Sequence, residues 1–188
     1  MSGVKNQHLR HCMRLKGYDY SEEGAYFVTV VTHHREMLFG KVVDGVMVLN
    51  ELGEVLNFTW NDLINHFENI ELEEFIIMPN HFHGIIYIDS PVGVGSKPTR
   101  EYRDVELSRA DHGLSRAGHG PAPTNLFEIM RQFKTFSAKR INLIRGLQGV
   151  PVWQRSYYDH IIRDEKDYNN IANYIAMNPS NWEEDEYC

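Results

Sequence analysis

Between residues 90 and 124 the chain has little with which to build a core, and this limits every fold open to it. The stretch holds Pro91, Pro98, Pro121 and Pro123, and LSRADHG (107–113) runs straight into the near-copy LSRAGHG (114–120). A repeat so poor in apolar side chains cannot bury enough surface to offset the entropy of ordering it. Any core must therefore come from the blocks on either side. The material is there: the 188 residues are 42% hydrophobic and 12% aromatic. A chain of this length fits one domain, so the sequence predicts a single domain over 1–188 with a flexible excursion at about 90–124.

Periodicity supplies the elements. AYFVTVVT (25–32), β-branched and aromatic, predicts a buried strand. Asp44-Gly45 between two apolar triplets predicts a tight hairpin. A helix is expected from about 51 to 70, capped by Asn50, because Leu52, Val55, Leu56, Trp60, Leu63, Ile64 and Phe67 recur at three- and four-residue steps. Strands at 74–79 and 82–89 follow, each apolar enough for a central position. Beyond the excursion, Thr124 is the expected cap of a helix to about 145. Leu126, Ile129, Met130, Phe133, Ile141 and Ile144 form its stripe, with Gly146 at the exit. VWQRSYYDHIIR (152–163) reads as extended. Asp164 then caps a last helix ending at Asn178, since Pro179 disfavours helical dihedrals in its predecessor. This order predicts an α+β sandwich, a central antiparallel sheet with helices packed on one face.

Charge and cysteine content bound the function. Nineteen basic against 26 acidic side chains give −7, a total that argues against a nucleic-acid binder. The charge is uneven, however: +3 over 1–20, −8 over 36–75, +5 over 125–163 and −6 over 164–188. A basic face is thus compatible with the acidic total. No apolar run approaches the length of a membrane-spanning helix. Cys12 and Cys188 stand at opposite ends without CxxC spacing, so a cytoplasmic protein is expected, with no disulfide framework.

Two constellations carry chemistry. His81-Phe82-His83 on a strand would put both imidazoles on one face, where they could share a metal ion. Alone the pair is weak evidence, since random placement of ten histidines gives roughly half such a triplet per chain. No HExxH or CxxC supplies a third ligand for a zinc hydrolase. The other constellation is Tyr174 with Asn178, one turn apart on the last helix. At 100° per residue, Tyr174 sits roughly 110° off the stripe of Tyr168, Ile171, Ala172 and Ile175, where its hydroxyl can face a cleft.

Met78-Pro79-Asn80-His81-Phe82-His83-Gly84 resembles the HUH signature of single-tyrosine transposases, two histidines around one bulky apolar residue. Four further stretches are similar to the REP-associated tyrosine transposases: RLKGYDYSEEGAYFVTVVT (14–32), FKTFSAKRIN (133–142), VWQRSYYDHIIRDEKDY (152–168) and NYIAMNPSNWEEDE (173–186). The resemblance covers about 14–89 and 124–186 and skips the excursion. It implies a ferredoxin-like sandwich with a C-terminal helix that carries the nucleophile. The family pattern ending YIxxNP selects Tyr174 as catalytic; Tyr157, Tyr158, Tyr168 and Tyr187 match other positions. It further implies a divalent metal, Mg²⁺ or Mn²⁺, held by His81, His83 and Asn178.

The implied reaction is cleavage and strand transfer of single-stranded DNA through a 5′-phosphotyrosine link. The implied partner is hairpin-bearing DNA, met by a monomer or homodimer. A divalent ion helps because a phenol, with a pKa near 10, is a poor nucleophile alone. Arg14, Lys16, Arg131, Lys134, Lys139, Arg140 and Arg155 are the candidates for backbone phosphates, and Trp153, Tyr157 and Tyr158 for base stacking. His160 stands in a family-like stretch without an assigned role. Two other functions stay open: a domesticated hairpin-binding protein without turnover, and an unrelated metal hydrolase using His81 and His83.

Overall fold

The computed structural model describes residues 19–89, 124–184 and 187; Arg14, Lys16, both cysteines and, save Thr124, the 90–124 excursion lie outside them. Its elements are β1 (Gly24–Val31), β2 (Gly40–Val43), β3 (Val46–Leu49), α1 (Glu51–Asn61), β4 (Ile70–Ile77), β5 (His81–Ile88), α2 (Leu126–Ile144), β6 (Tyr158–Ile162) and α3 (Glu165–Met177). The hairpin β2–β3 forms a small sheet of its own, its turn made by Asp44 and Gly45 at φ 52° and 73°. The other four strands form one antiparallel sheet in the order β4-β5-β1-β6. With the hairpin set aside, β1-α1-β4-β5-α2-β6 is the ferredoxin-like βαββαβ arrangement expected from the sequence. Strands from both sides of the excursion meet on β1, which pairs with β5 and with β6.

Strand alternation divides the interior in two. Tyr26, Val28 and Val30 of β1 and Phe82, Ile86 and Ile88 of β5 face α1 and α2, packing on Leu56, Trp60, Met130 and Phe133. Phe27 of β1 and Ile85 of β5 face the other way, onto Ile175 of α3. Helices α1 and α2 thus cover one face, and α3 lies on the opposite one. The large core is aromatic at its centre: Trp60 is 4.5 Å from Phe82 and 5.2 Å from Phe133, ring centre to ring centre. Gly84 makes room for it. A Cβ there would come within 2.8 Å of the Trp60 indole and 2.9 Å of the Phe82 ring.

Several expectations shift by local chemistry. The first helix ends at Asn61, not near 70, and a 3₁₀ turn follows over Asp62–Asn65. Asp62 gathers Asn65 and Arg140 at 3.1 and 3.0 Å, and the tighter winding turns Ile64 outward while keeping Leu63 buried. Asn125, not Thr124, caps α2, accepting from the Glu128 amide at 2.9 Å. Ile144, assigned to the α2 stripe, is exposed. β4 starts at Ile70 and is an edge strand, its outward positions filled by glutamates. Pro179 does not push Asn178 out of the helical region, for Asn178 sits at φ −56°, ψ −44°. The Asn181 amide, reaching back to the carbonyls of Met177 and Asn178, continues the coil past the proline.

The crowding at Gly84 yields a test. Gly84→Ala must displace a buried indole and costs about 1–3 kcal/mol. Urea unfolding should show a lower midpoint at unchanged slope.

Candidate active site

Because β5 presents odd residues toward α3, His81 and His83 project from one face, both buried, with ring centres 4.6 Å apart. Each ring is steered by a second polar group. Asn80 donates its Nδ2 hydrogens to the carbonyls of Tyr187 at 2.6 Å and Arg35 at 3.5 Å, which leaves its Oδ1 to face His81 Nδ1 at 2.9 Å. That fixes the His81 proton on Nδ1 and makes Nε2 the lone-pair nitrogen. His83 Nδ1 lies 2.8 Å from Thr29 Oγ1, and Phe27 stacks on the ring at 5.4 Å. Burial, then the neighbouring His81, hold His83 well below the ordinary imidazole range, so the ring is neutral at pH 7.

Tyr174 comes to this pair from α3. Its Oη is 3.3 Å from His83 Nε2, and the side chain is 43% exposed, open to a substrate on one side. Asn178 follows one turn later and is buried. A helical turn of four residues advances about 6 Å, close to the step between His83 and His81 on the strand. The helix runs toward the His81 end, where Trp182 stands 5.9 Å from the His81 ring. Sequence reasoning missed Tyr187, whose ring lies 4.8 Å from His81 and 6.2 Å from His83. It also gave no role to Thr29, which the strand register sets opposite His83, or to Asn80, which stands next to His81 in the sequence.

Polar contacts hold α3 in place. Asp164 accepts from the Asp167 amide at 2.8 Å, and Asp167 in turn takes His160 Nε2 at 2.8 Å. That bond to His160 holds the Asp167 carboxyl below its usual range. His160 therefore ties β6 to the first turn of α3, a role the sequence did not give. Tyr168 bonds Glu74 and Glu73 on β4, which pins the outer side of the helix.

His81 and His83 bring two imidazoles together on one face, a donor type suited to a divalent ion of intermediate softness. Among the described residues no cluster of three His, Cys, Asp or Glu side chains is placed to hold a metal.

The basic candidates scatter. Arg131 pairs with Glu128 at 2.7 Å, and Arg140 joins α2 to Thr59 and Asp62 of the α1 region. Lys134 donates to the carbonyls of Gln154, Arg155 and Ser156, and its burial brings the ammonium down to about 8. Lys139 and Arg155 are exposed. All four α2 cations stand on the helix across the sheet from Tyr174. Trp153 is buried against Phe39 and bonds Ser137, while Tyr157 and Tyr158 are partly buried.

No family model matches the chain. An uncharacterised protein of Haemophilus influenzae is 38% identical over 182 residues, 95% of this chain and 93% of that one. The chain belongs to that protein's family. The solved structure of a REP-associated tyrosine transposase bound to a REP hairpin aligns over 90% of this chain and 74% of its own, at TM-score 0.56 and 19% identity. The chain has the fold of the REP-associated tyrosine transposase. Here the histidine strand β5 is central in the sheet, which accounts for the depth of His81 and His83. No helix of the described residues is long and apolar enough to cross a membrane.

The state of His83 makes stability pH-dependent. The folded chain resists a proton that the unfolded chain takes up near pH 6.5, so this contribution is complete above about pH 7 and is lost as pH falls below it. Urea midpoints should drop between pH 7.5 and 5, and His83→Gln should flatten that drop.

Proposed function

We propose that the protein is a metal-dependent enzyme that cuts and rejoins single-stranded DNA beside hairpins, with Tyr174 as nucleophile. The observation that carries this is the half-exposed Tyr174, whose hydroxyl lies 3.3 Å from a buried, neutral imidazole on the face shared with His81. His81, His83 and Asn178 would hold Mg²⁺ or Mn²⁺, an ion that draws electron density from the scissile phosphate. Tyr174 Oη forms the bond to phosphorus, the bond to O3′ breaks, and the leaving oxygen takes a proton as the 3′-hydroxyl. The 5′ phosphate stays on tyrosine with its bond energy conserved, so a 3′-hydroxyl can reverse the step and join strands without a nucleotide cofactor.

Tyr174 and His83 lie together on one chain, a placement that suits a monomer or a homodimer. The transposase of like fold was solved on a REP hairpin, which supports a hairpin as the partner. A cytoplasmic setting, with no membrane partner, suits such a substrate.

Tyr174→Phe should abolish covalent protein–DNA product and strand cleavage while hairpin affinity stays within about twofold, as one exposed hydroxyl contributes little to binding. Denaturing gels with Mn²⁺ and a labelled hairpin oligonucleotide read both. Binding without any cleavage by the native chain would favour the hairpin-binding function without turnover.

A further inference from the structure

The turn over residues 33–35 has backbone that its side chains disfavour. His34 and Arg35 take φ of 54° and 57°, consecutive left-handed residues that are not glycine. Such a conformation persists only where the surroundings impose it, and strain of this kind gathers at functional sites. Here the surroundings are explicit. The Thr32 amide bonds the Asn80 carbonyl at 2.8 Å, the His33 amide bonds the Val152 carbonyl at 2.8 Å, and Thr32 Oγ1 bonds the Glu36 carbonyl at 2.9 Å. Asn80 Nδ2 reaches the Arg35 carbonyl, so the residue that orients His81 also holds this turn.

The strained backbone presents His33, His34 and Arg35 together. The two imidazole rings are 3.9 Å apart, and both His34 and Arg35 are exposed. The carboxylate of the next residue, Glu36, is engaged by Arg145 at 3.6 Å. The Arg35 guanidinium stands over the Tyr187 ring at 5.7 Å. A continuous row results: Tyr174 to His83 at 5.2 Å, His83 to His81 at 4.6 Å, His81 to Tyr187 at 4.8 Å, then Tyr187 to Arg35. The partly buried Tyr187 ring beside the exposed His34 and Arg35 sets an aromatic face next to a cation, the chemistry that holds an unpaired nucleic-acid strand.

We propose that the Tyr187 ring and the 33–35 turn form a track for the single strand flanking the cleavage position, with Tyr187 as a platform for a base and His33, His34 and Arg35 as the seat for backbone phosphates. The inference rests on the proposed function for the strand's identity. Its observations are nonetheless separate ones, namely the strained turn and the Arg35 guanidinium over the Tyr187 ring.

The test is equilibrium binding in EDTA, which keeps turnover out of the measurement, using a hairpin oligonucleotide with a single-stranded extension on either side and a blunt hairpin. His34→Asn and Arg35→Asn are the variants of choice, since asparagine accepts positive φ and removes the cation without changing the turn. The double variant should bind one of the extended oligonucleotides about three- to tenfold more weakly, and its salt dependence should be shallower by about 0.7 for each phosphate it no longer neutralises. The blunt hairpin should bind native and variant chains alike, and Arg35→Lys should restore the salt slope. Unchanged affinity and slope on both extended oligonucleotides, or an equal weakening on the blunt hairpin, would overturn the track. A native chain that binds through the turn yet forms no covalent product refutes the enzyme and leaves the track standing. Normal cleavage with unchanged binding by the double variant refutes the track alone.

Discussion

The Trp60 indole resting on Phe82, 4.5 Å between ring centres, is the contact on which the rest of the site depends. Phe82 stands between the two histidines, and a strand sends neighbouring side chains to opposite faces. Burying Phe82 among Trp60, Phe75 and Phe133 therefore obliges His81 and His83 to emerge on the other side. A slip of one residue would put both imidazoles into an aromatic core and Phe82 into the site, so the core itself fixes the register. Gly84 enforces the same register, since only a residue without Cβ lets the indole lie close against the strand. The rigidity of the two histidine positions thus comes from packing on the opposite face of the sheet.

Helix α3 is held by different means. Ile175 is its only fully buried apolar residue among those described, and the small cluster beneath it contains just Phe27 and Ile85 besides. Apolar burial on that scale gives little directional control. Position comes instead from directed bonds at the start of the helix: His160 to Asp167 across from β6, and Tyr168 to the β4 glutamates. The anchors lie two turns or so before Tyr174, and the buried Ile175 and Asn178 hold the half of the helix that follows it.

Local signals were legible in the sequence and non-local ones were not. The Asp44-Gly45 turn, the Asn50 and Asp164 caps and the element order depend on near neighbours, and each stands where the chain alone places it. The early end of α1 depends on Asp62 meeting Arg140, a partner 78 residues away, so helical periodicity could not anticipate it. The same holds for the site. The histidine pair follows from strand alternation, whereas Thr29 beneath His83 is visible only once the register Thr29↔His83 is known. Tyr187 was passed over because sequence spacing cannot show that a tail residue returns to the ring of His81.

Charge shows the same distinction between a sum and an arrangement. The total of −7 speaks against a nucleic-acid partner, and the +5 of 125–163 speaks for one, yet neither quantity acts on a substrate. Much of the +5 is spent inside the fold: Arg131 on Glu128, Arg140 on Asp62, Arg145 on Glu36, and Lys134 on three carbonyls. These pairs stiffen α2 and fix the loop before β6, but across the sheet from Tyr174. The acidic 36–75 segment supplies Glu36 and Asp62 to those same pairs, so its −8 is likewise partly consumed. Each cation the fold engages is withdrawn from long-range attraction, and so is each carboxylate it engages. What would govern attraction to a polyanion is therefore the charge left exposed near Tyr174, not the sum over the chain.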